Sequence, residues 1–206
     1  MSERTLVVLS GGLGQPSSTR MLADRLARAT TDGLGAHGIT ASVRVVELRE
    51  IAHEVLDALL AGFPSGKARE ALDAVAGADG LIAVTPLFNT TFAGLFKTFV
   101  DVLDREAMAG KPVLLGATGG TPRHSLALDY ALRPVFAHLH ADVAATSVFA
   151  ATDDWSGDGD RVAPLPERIR RAGAELAGML AAREPVTGPP DPFADAPSFE
   201  DLLSAG

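Results

Sequence analysis

The chain has 206 residues, 47% of them hydrophobic, so it can bury one substantial core but is too short for two ordinary domains. It contains no cysteine, which excludes disulfides, thiolate nucleophiles, cysteine-ligated zinc and iron–sulfur clusters, so any redox chemistry needs an organic cofactor. Its net charge of −8 leaves no clustered excess of Lys and Arg for binding nucleic acid or an anionic membrane.

The two ends of the sequence are expected to add no further domain. No apolar run approaches the roughly 18 residues needed to span a bilayer, and Met1–Arg4 leads directly into a strand, so we expect a cytoplasmic protein. Residues 184–206 carry five acidic and no basic side chains and are rich in proline. This composition predicts a mobile acidic tail behind a single folded domain of residues 1–183. The alternative is an amphipathic turn at Pro197–Leu203 that docks on a neighbour.

Short apolar, β-branched runs alternate along the chain with stretches of helical spacing. Such alternation predicts a doubly wound α/β fold, a parallel sheet with helices on both faces. The five predicted strands are Thr5–Leu9, Ala41–Leu48, Gly80–Val84, Pro112–Gly116 and Val143–Ala150, and the last predicted helix is Leu165–Ala182. Ligands bind such sheets beyond the carboxyl ends of the strands, which points to the loops at 10–19, 85–92 and 117–123.

The first loop, SGGLGQPSST, combines glycines with hydroxyl side chains at a strand-to-helix junction. The hydroxyls belong to Ser10, Ser17, Ser18 and Thr19. Together with free N–H groups at a helix start they suit a terminal phosphate monoester, although a simple helix cap at Ser17 or Ser18 would explain the same residues. Gly12–Ser17 also approaches the G-x-G-x-x-G dinucleotide fingerprint, with Glu47 as the ribose-binding acid, but Ser17 replaces the third glycine.

The second loop offers aromatic surface beside polar groups. Phe88 and Phe92 flank the polar residues 89–91, and this combination suits a flat heteroaromatic ring; packing in the core is the alternative for each phenylalanine. Pro86 is expected to end the strand pairing here. The following segment, 94–103, is apolar on more than one helical face, which predicts a helix that lies partly in a subunit interface.

The third loop contains the pair Gly119 and Gly120, which lets backbone approach a ligand closely. Thr121 is a predicted helix cap, and Pro122 stands at the favoured first helical position. Backbone N–H groups here are suited to meet an atom that gains negative charge on reduction. A tight strand-to-helix turn without a ligand is the alternative.

The second and third loops extend into two longer motifs. TPLFNTTFAGLFKT at 85–98 follows the pattern T-P-x-Y-x-x-x-Y-S-G-x-L-K-T, and ATGGTPRHSLALDYALRP at 117–134 follows A-T-G-G-T-x-x-H-x-L-A-x-D-Y-A-L-K-P. Together with the first loop, they resemble the NADPH-dependent FMN reductase family of flavodoxin-like proteins. The resemblance is greatest to the reductase components of two-component alkanesulfonate monooxygenases, and it covers Leu6 to about Phe149.

The resemblance implies a flavodoxin-like five-stranded sheet of order 2-1-3-4-5, and hydride transfer from the nicotinamide of NADPH or NADH to N5 of FMN. It implies FMN contacts from three groups of residues: Ser10, Ser17, Ser18 and Thr19 at the phosphate, Pro86, Leu87, Phe88 and Asn89 at the ring, and Thr118, Gly119 and Gly120 at the pyrimidine edge. It further implies a homodimer or homotetramer and a monooxygenase partner that takes the reduced FMN. No catalytic side chain is expected, because the work is stacking and orientation.

The sequence departs from the family pattern at two places. Phe88 and Phe92 stand where that branch has tyrosines, so functions of those hydroxyls do not carry over, and the long tail is a second departure. As a hypothesis, Arg20 or Arg123 contacts a phosphate of the pyridine nucleotide; solvated surface arginines are the alternative. The histidines show no ligand spacing, so no metal is assigned.

Rival functions remain open from the sequence. One is a flavodoxin-like electron carrier that keeps its FMN and takes electrons from a partner protein, or a quinone reductase. Another is a Rossmann dehydrogenase that binds NAD at the incomplete G-x-G-x-x-G fingerprint of the first loop. Oxidation of NAD(P)H that depends on added FMN favours the reductase over both.

Overall fold

The computed structural model describes residues 3–157, 159 and 162–186. The strands are β1 (Glu3–Ser10), β2 (Thr40–Glu47), β3 (Gly80–Phe88), β4 (Thr91–Phe92), β5 (Pro112–Gly119), β6 (Asp142–Val143) and β7 (Val148–Ala151). The α-helices are α1 (Ser18–Ala36), α2 (Ala52–Ala61), α3 (Gly66–Gly77), α4 (Gly94–Asp101), α5 (Arg105–Met108), α6 (Arg133–His138), α7 (Thr152–Ser156) and α8 (Leu165–Ala181). Short 3-10 turns lie at Leu48–Glu50 and Pro122–His124, and a π-helix lies at Leu128–Leu132. Beyond its first three residues, the predicted tail lies outside the described residues.

The strands form one sheet in the order β2-β1-β3-β5-β6, with parallel pairing along this path. Strand β7 also pairs in parallel with β5, at the same edge as β6, and β4 pairs with β3 in an antiparallel hairpin. The predicted order 2-1-3-4-5 is therefore confirmed as the flavodoxin-like order, since β5 is the fourth predicted strand. The predicted count of five is wrong, because the described part of the chain contributes seven strands.

The fifth predicted strand, Val143–Ala150, is two short strands because side chains bind the backbone between them. Arg133 donates to the carbonyls of Ala144 and Ala145, and the Glu175 carboxylate accepts from the N–H of Ala145 at 2.5 Å. Backbone groups bound in this way are lost to the ladder with β5. Because of this interruption, β6 and β7 pair separately with β5 at the edge of the sheet.

Helices cover both faces of the sheet, and each face has its own apolar core. On one face Leu6, Val8 and Ile82 pack with residues of α1 and α8, such as Leu22 and Leu176. The opposite face packs against α2, α3, α4 and α6, and its core contains the largest buried aromatic side chains, Phe96, Phe99 and Phe136. This two-sided burial explains the near-continuous apolar runs of the central strands. Within the described ranges, no helix is both long and apolar enough to cross a bilayer.

Candidate active site

The carboxyl ends of β1, β3 and β5 bring the three predicted loops to one rim of the sheet. Ser10 ends β1 and lies in register with Val84 of β3, while Pro86 of β3 lies in register with Thr118 of β5. Ser10 and Thr118 are both buried. Thr19, in the first turn of α1, reaches across to Thr118, and their Oγ1 atoms lie 2.8 Å apart. The first and third loops are therefore joined by a buried hydrogen bond.

The first loop ends in a capped helix with free donors. The Ser17 Oγ accepts a hydrogen bond from the Arg20 N–H at 3.2 Å, so the capping interpretation of Ser17 is confirmed. The Ser17 hydroxyl hydrogen is left free, because a hydroxyl can accept and donate at once. Among the described residues, the N–H groups of Ser18 and Thr19 have no acceptor, as expected in a first helical turn. This end of α1 offers several donors to an anion.

Ser10 carries a second polar group with no protein partner. Its side chain is fully buried, and its Oγ is without a hydrogen-bond partner in the part of the chain that the structure describes. A buried unpaired hydroxyl costs free energy, so it is uncommon in a native structure unless something else satisfies it. A side chain at Gly12 would overlap the cap, because a Cβ there would lie 2.2 Å from the Ser17 Oγ. The loop backbone is therefore packed tightly against its own cap.

The second loop is a β-hairpin, so the prediction that Pro86 ends the pairing holds for the parallel ladder with β5, whose last pair is Pro86 with Thr118, but not for strand β3 itself. Strand β3 continues to Phe88 and turns back through Asn89 and Thr90, whose φ angles of 50° and 74° are both left-handed. Positive φ at both central residues matches a two-residue hairpin turn, and it is unusual for a β-branched residue such as Thr90. Pro86 stays in the sheet because its carbonyl still accepts, here from the Ala93 N–H at 3.1 Å.

The hairpin is anchored from inside the core and presents one aromatic ring outward. The Ala93 N–H also donates to the buried Thr85 Oγ1 at 3.1 Å, which ties the returning strand to β3. Phe92 packs against the core and lies 6.4 Å from Phe96 between ring centroids, so the core interpretation holds for Phe92. Phe88, by contrast, is 47% exposed. One of the two predicted aromatic residues therefore faces the outside beside the half-buried Pro86.

The third loop begins at a glycine that is required by packing. A Cβ at Gly119 would lie 2.9 Å from Cζ of Phe149 on β7, whereas a Cβ at Gly120 would meet nothing within 4 Å. Gly119 therefore allows β5 and the Phe149 ring to pack closely, and Gly120 is free to face a ligand. Pro122 follows at the start of a 3-10 turn and Thr121 makes no side-chain capping bond, so the predicted cap at Thr121 is wrong.

A charged network binds the outer side of the first loop. Glu47, at the end of β2, accepts from Arg20 at 2.5 Å and from the Nε of Arg49 at 3.0 Å. Arg20 also pairs with Asp24 at 2.8 Å, and this hydrogen bond, with the negative charges of Asp24 and then Glu47, raises the pKa of Arg20 against the opposing effect of burial. With its amide oxygen turned toward Arg49, Gln15 accepts from Nη1 at 2.6 Å. The loop is thereby tied to the edge strand.

These contacts show which of the residues predicted to bind a nucleotide already have partners in the protein. Arg20 is committed to Glu47 and Asp24, while Arg123 is exposed and makes no side-chain hydrogen bond or ion pair within the described residues. Glu47 is occupied by two arginines, and β1 lies between β2 and β3, so the Rossmann interpretation of Glu47 is wrong. Within the described ranges, no three His, Asp or Glu side chains cluster closely enough to hold a metal ion.

Sequence reasoning missed Gln15, Arg49 and Thr85. Arg49 stands two residues after Glu47 at a strand end, and that spacing is the one signal that pointed to an ion pair beside the first loop. Gln15 carried no signal, because its contact joins a loop to a turn 34 positions later in the chain. Thr85 falls in the predicted second loop, just after the predicted strand Gly80–Val84, and its role depends on the hairpin that the sequence did not reveal.

The fold defines a flavodoxin-like protein, and comparisons with known proteins agree. The model of a family described as NADPH-dependent FMN reductase matches residues 4–156. An FMN reductase (NADPH) of Pseudomonas aeruginosa is 33% identical over 178 residues, or 86% of this chain and 93% of the relative. The NADH-dependent FMN reductase SfnF of Pseudomonas fluorescens is 35% identical over 175 residues, or 85% of this chain and 90% of the relative.

A solved structure is similar over nearly the whole length. The oxidoreductase of Corynebacterium diphtheriae superposes with a TM-score of 0.84 at 41% identity, covering 89% of this chain and 100% of that chain. The chain therefore belongs to the NADPH-dependent FMN reductase family. It is an oxidoreductase that passes electrons from NAD(P)H to FMN, as the resemblance of its sequence motifs to this family implies.

Proposed function

We propose that the rim at the carboxyl ends of β1, β3 and β5 is the FMN site of this reductase, with the phosphate in the first loop. The observation that carries the proposal is the set of free donors that opens α1, namely the Ser17 hydroxyl and the N–H groups of Ser18 and Thr19, together with the buried, unpaired Ser10 Oγ at the end of β1, where the same loop begins. A phosphate group supplies the acceptor oxygens that these donors lack inside the protein. The residues present therefore fit a flavin that carries a terminal phosphate.

The ring is proposed to lie between the second and third loops. Pro86, Leu87, Phe88 and Asn89 form the hairpin side, where the exposed Phe88 gives apolar cover and Asn89 gives a polar edge. Thr118, Gly119 and Gly120 form the opposite side, and the exposed backbone at Gly120 can approach the pyrimidine edge. The Thr19–Thr118 hydrogen bond fixes the distance between the two ends of this site.

The chain's own residues bind and orient in this proposal, and none acts as an acid or base. FMN, when bound, supplies the ring that accepts a hydride from the nicotinamide. The hairpin holds the ring plane, and backbone N–H groups of the third loop are placed to stabilise negative charge at its pyrimidine edge. The left-handed turn at Asn89 and Thr90 closes the hairpin that carries the exposed Phe88.

The proposal also covers the other molecules that the protein binds: the pyridine nucleotide, a monooxygenase and further copies of the chain. Arg123 is the exposed cation at the third loop, and we propose that it meets a phosphate of the pyridine nucleotide, whether NADH or NADPH. The motifs shared with reductase components of monooxygenase systems support transfer of reduced FMN to such a partner. The protein is further proposed to form a homodimer or homotetramer in which the apolar helix α4 lies partly in the subunit interface.

Kinetics with different flavins test the phosphate site. We expect NAD(P)H oxidation to depend on added flavin and to show a lower KM for FMN than for riboflavin. Replacing Ser17 by alanine should raise the KM for FMN by about tenfold, because a charge-assisted hydrogen bond is lost, and should change the KM for riboflavin much less. Thr31→Ala is the matched control, since it removes a hydroxyl about 20 Å along the same helix. Equal losses for FMN and riboflavin would remove the phosphate from this loop.

A further inference from the structure

The Glu47 carboxylate lies between two arginines that come from different parts of the chain. We infer that Glu47 is a positioning residue for flavin phosphate binding: it holds Arg20 and Arg49 so that the first loop keeps its phosphate-binding shape. The inference rests on the proposed phosphate site. It assigns a role in the known reaction to a residue that makes no contact with the substrate.

The geometry gives the carboxylate a bridging role. Its Oε1 binds Arg20 in the first turn of α1, and its Oε2 binds Arg49 in the turn that follows β2. Arg49 in turn holds the Gln15 side chain at the exposed tip of the loop. One carboxylate therefore connects the tip of the first loop, the start of α1 and the end of the edge strand.

The position of Glu47 in the sheet places this network beside the start of the loop. Glu47 lies in register with Ser10, the last residue of β1. Gly11 follows and donates its N–H to the Val84 carbonyl at 2.8 Å, so the loop leaves the sheet at a fixed point. The inner side of the loop is fixed by the cap at Ser17 and by the Thr19–Thr118 bond. The Glu47 network is what fixes the outer side.

The burial of the network distinguishes it from ordinary surface ion pairs. The side chains of Glu47 and Arg49 are 15% and 19% exposed, whereas those of the surface pair Arg69 and Asp73 are 59% and 62% exposed. Exposed pairs contribute little to structure, but loss of one partner of a shielded pair leaves the other charge uncompensated. Removing Glu47 would leave Arg20 with Asp24 alone and Arg49 without a close carboxylate, and would therefore release the loop from the edge strand.

A positioning role and a purely electrostatic role of Glu47 predict opposite changes in FMN affinity when its charge is removed. A carboxylate beside a phosphate repels it, so neutralising Glu47 without any change of shape would tighten FMN binding. If Glu47 holds the loop in shape, the same substitution weakens FMN binding, because the donors must be ordered again when the phosphate arrives. The sign of the effect on FMN affinity therefore decides between the two.

The test measures dissociation constants of FMN and riboflavin by quenching of flavin fluorescence in Glu47→Gln and in the wild type. We expect the Kd of FMN to rise by about tenfold and that of riboflavin by less than about twofold, since only the phosphate loop is disturbed. Glu50→Gln is the matched control, because it removes the same charge from the same turn. Glu50 is 64% exposed and approaches Arg49 only to 3.8 Å, so we expect its Kd values to stay within about twofold of the wild type.

An unchanged or lower Kd of FMN in Glu47→Gln would overturn the inference. If that variant does not fold, Gln15→Ala breaks the same network at its exposed end, and an FMN Kd equal to that of the wild type would then overturn it. A wild type that binds FMN and riboflavin equally would contradict the proposed phosphate site, and the inference with it. A wild type that prefers FMN, with a Glu47→Gln variant that keeps this preference in full, contradicts the inference alone.

Discussion

Thr19 and Thr118 connect the first and third loops through a buried hydrogen bond between Oγ1 atoms 2.8 Å apart. Thr19 lies in the first turn of α1, which follows β1, and Thr118 lies near the end of β5, which β3 separates from β1 in the sheet. Both hydroxyls are shielded from water, so each depends on the other for a partner. The two loops proposed to hold opposite ends of the flavin are thus linked before any ligand arrives.

A double-mutant cycle on this pair has a defined outcome. Thr19→Val or Thr118→Val alone leaves one buried hydroxyl unpaired, and each should lower the free energy of unfolding by about 1 to 3 kcal/mol. The double variant leaves neither hydroxyl behind, so its loss should be clearly smaller than the sum of the single losses. Urea denaturation of the four proteins measures this coupling. Additive losses would show that the hydrogen bond does not form.

The two glycines of the third loop should respond differently to an added methyl group. Gly119→Ala places a Cβ 2.9 Å from the Phe149 ring and should destabilise the protein by about 1 to 3 kcal/mol, seen as a lower melting temperature. Gly120→Ala adds the same methyl group where nothing lies within 4 Å, and it should leave the melting temperature of the flavin-free protein nearly unchanged. Equal melting temperatures for the two variants would contradict the close packing of Phe149.

Ser10→Ala should weaken FMN binding without destabilising the flavin-free protein. The Ser10 Oγ is buried and unpaired, so its removal should leave the flavin-free protein as stable as the wild type, or more stable by up to about 1 kcal/mol. The same change removes a proposed phosphate donor, so the Kd of FMN should rise by several-fold. Thermal unfolding and flavin titration of one variant measure both effects. A loss of stability with unchanged FMN binding would contradict the role given to Ser10.

Lys111 gives the protein a pH dependence at the opposite end of the sheet. Its ammonium is buried and donates to the carbonyl of Ala76 at 3.0 Å and to that of Ala78. Burial lowers the pKa of Lys111 from 10.5 to about 8, and the nearby Asp79 opposes this shift. Between pH 8 and 10.5 the unfolded chain therefore binds a proton that the folded chain has lost.

Stability should consequently rise with pH across that window. The single proton contributes a slope of at most about 1.4 kcal/mol per pH unit to the free energy of unfolding. Lys111→Met removes this contribution, so the wild type should gain stability relative to the variant from pH 8 to 10.5 and show no relative change below pH 8. Parallel urea titrations at several pH values measure it. Identical slopes for the two proteins would show that the pKa of Lys111 is not lowered.

The sequence pattern was enough to predict the doubly wound sheet and the rim, because both depend on local patterns, whereas the strand order followed from the family resemblance. Apolar runs such as Gly80–Val84 marked the strands, and a parallel sheet collects the ends of β1, β3 and β5 at one edge. The cap at Ser17 was also foreseen, since it depends only on residues within one helical turn.

The remaining features depend on contacts between distant residues or on unusual backbone. The hairpin turn uses Asn89 and Thr90 where a hairpin signal normally has glycine, so the sequence alone predicts only a loop there. The break in the last strand depends on Arg133 and Glu175, which reach the backbone from other elements. The bridge from Gln15 through Arg49 likewise joins residues that no local pattern relates.

A crystal structure of the protein with FMN tests the central claim most directly. We predict electron density for the phosphate within hydrogen-bond distance of Ser17 and the N–H groups that open α1, and for the ring between Phe88 and Gly120. The same crystal soaked with riboflavin should show weaker density at the same ring position. A flavin bound elsewhere, or a rim filled by the protein's own side chains, would contradict the assignment of these three loops to the flavin.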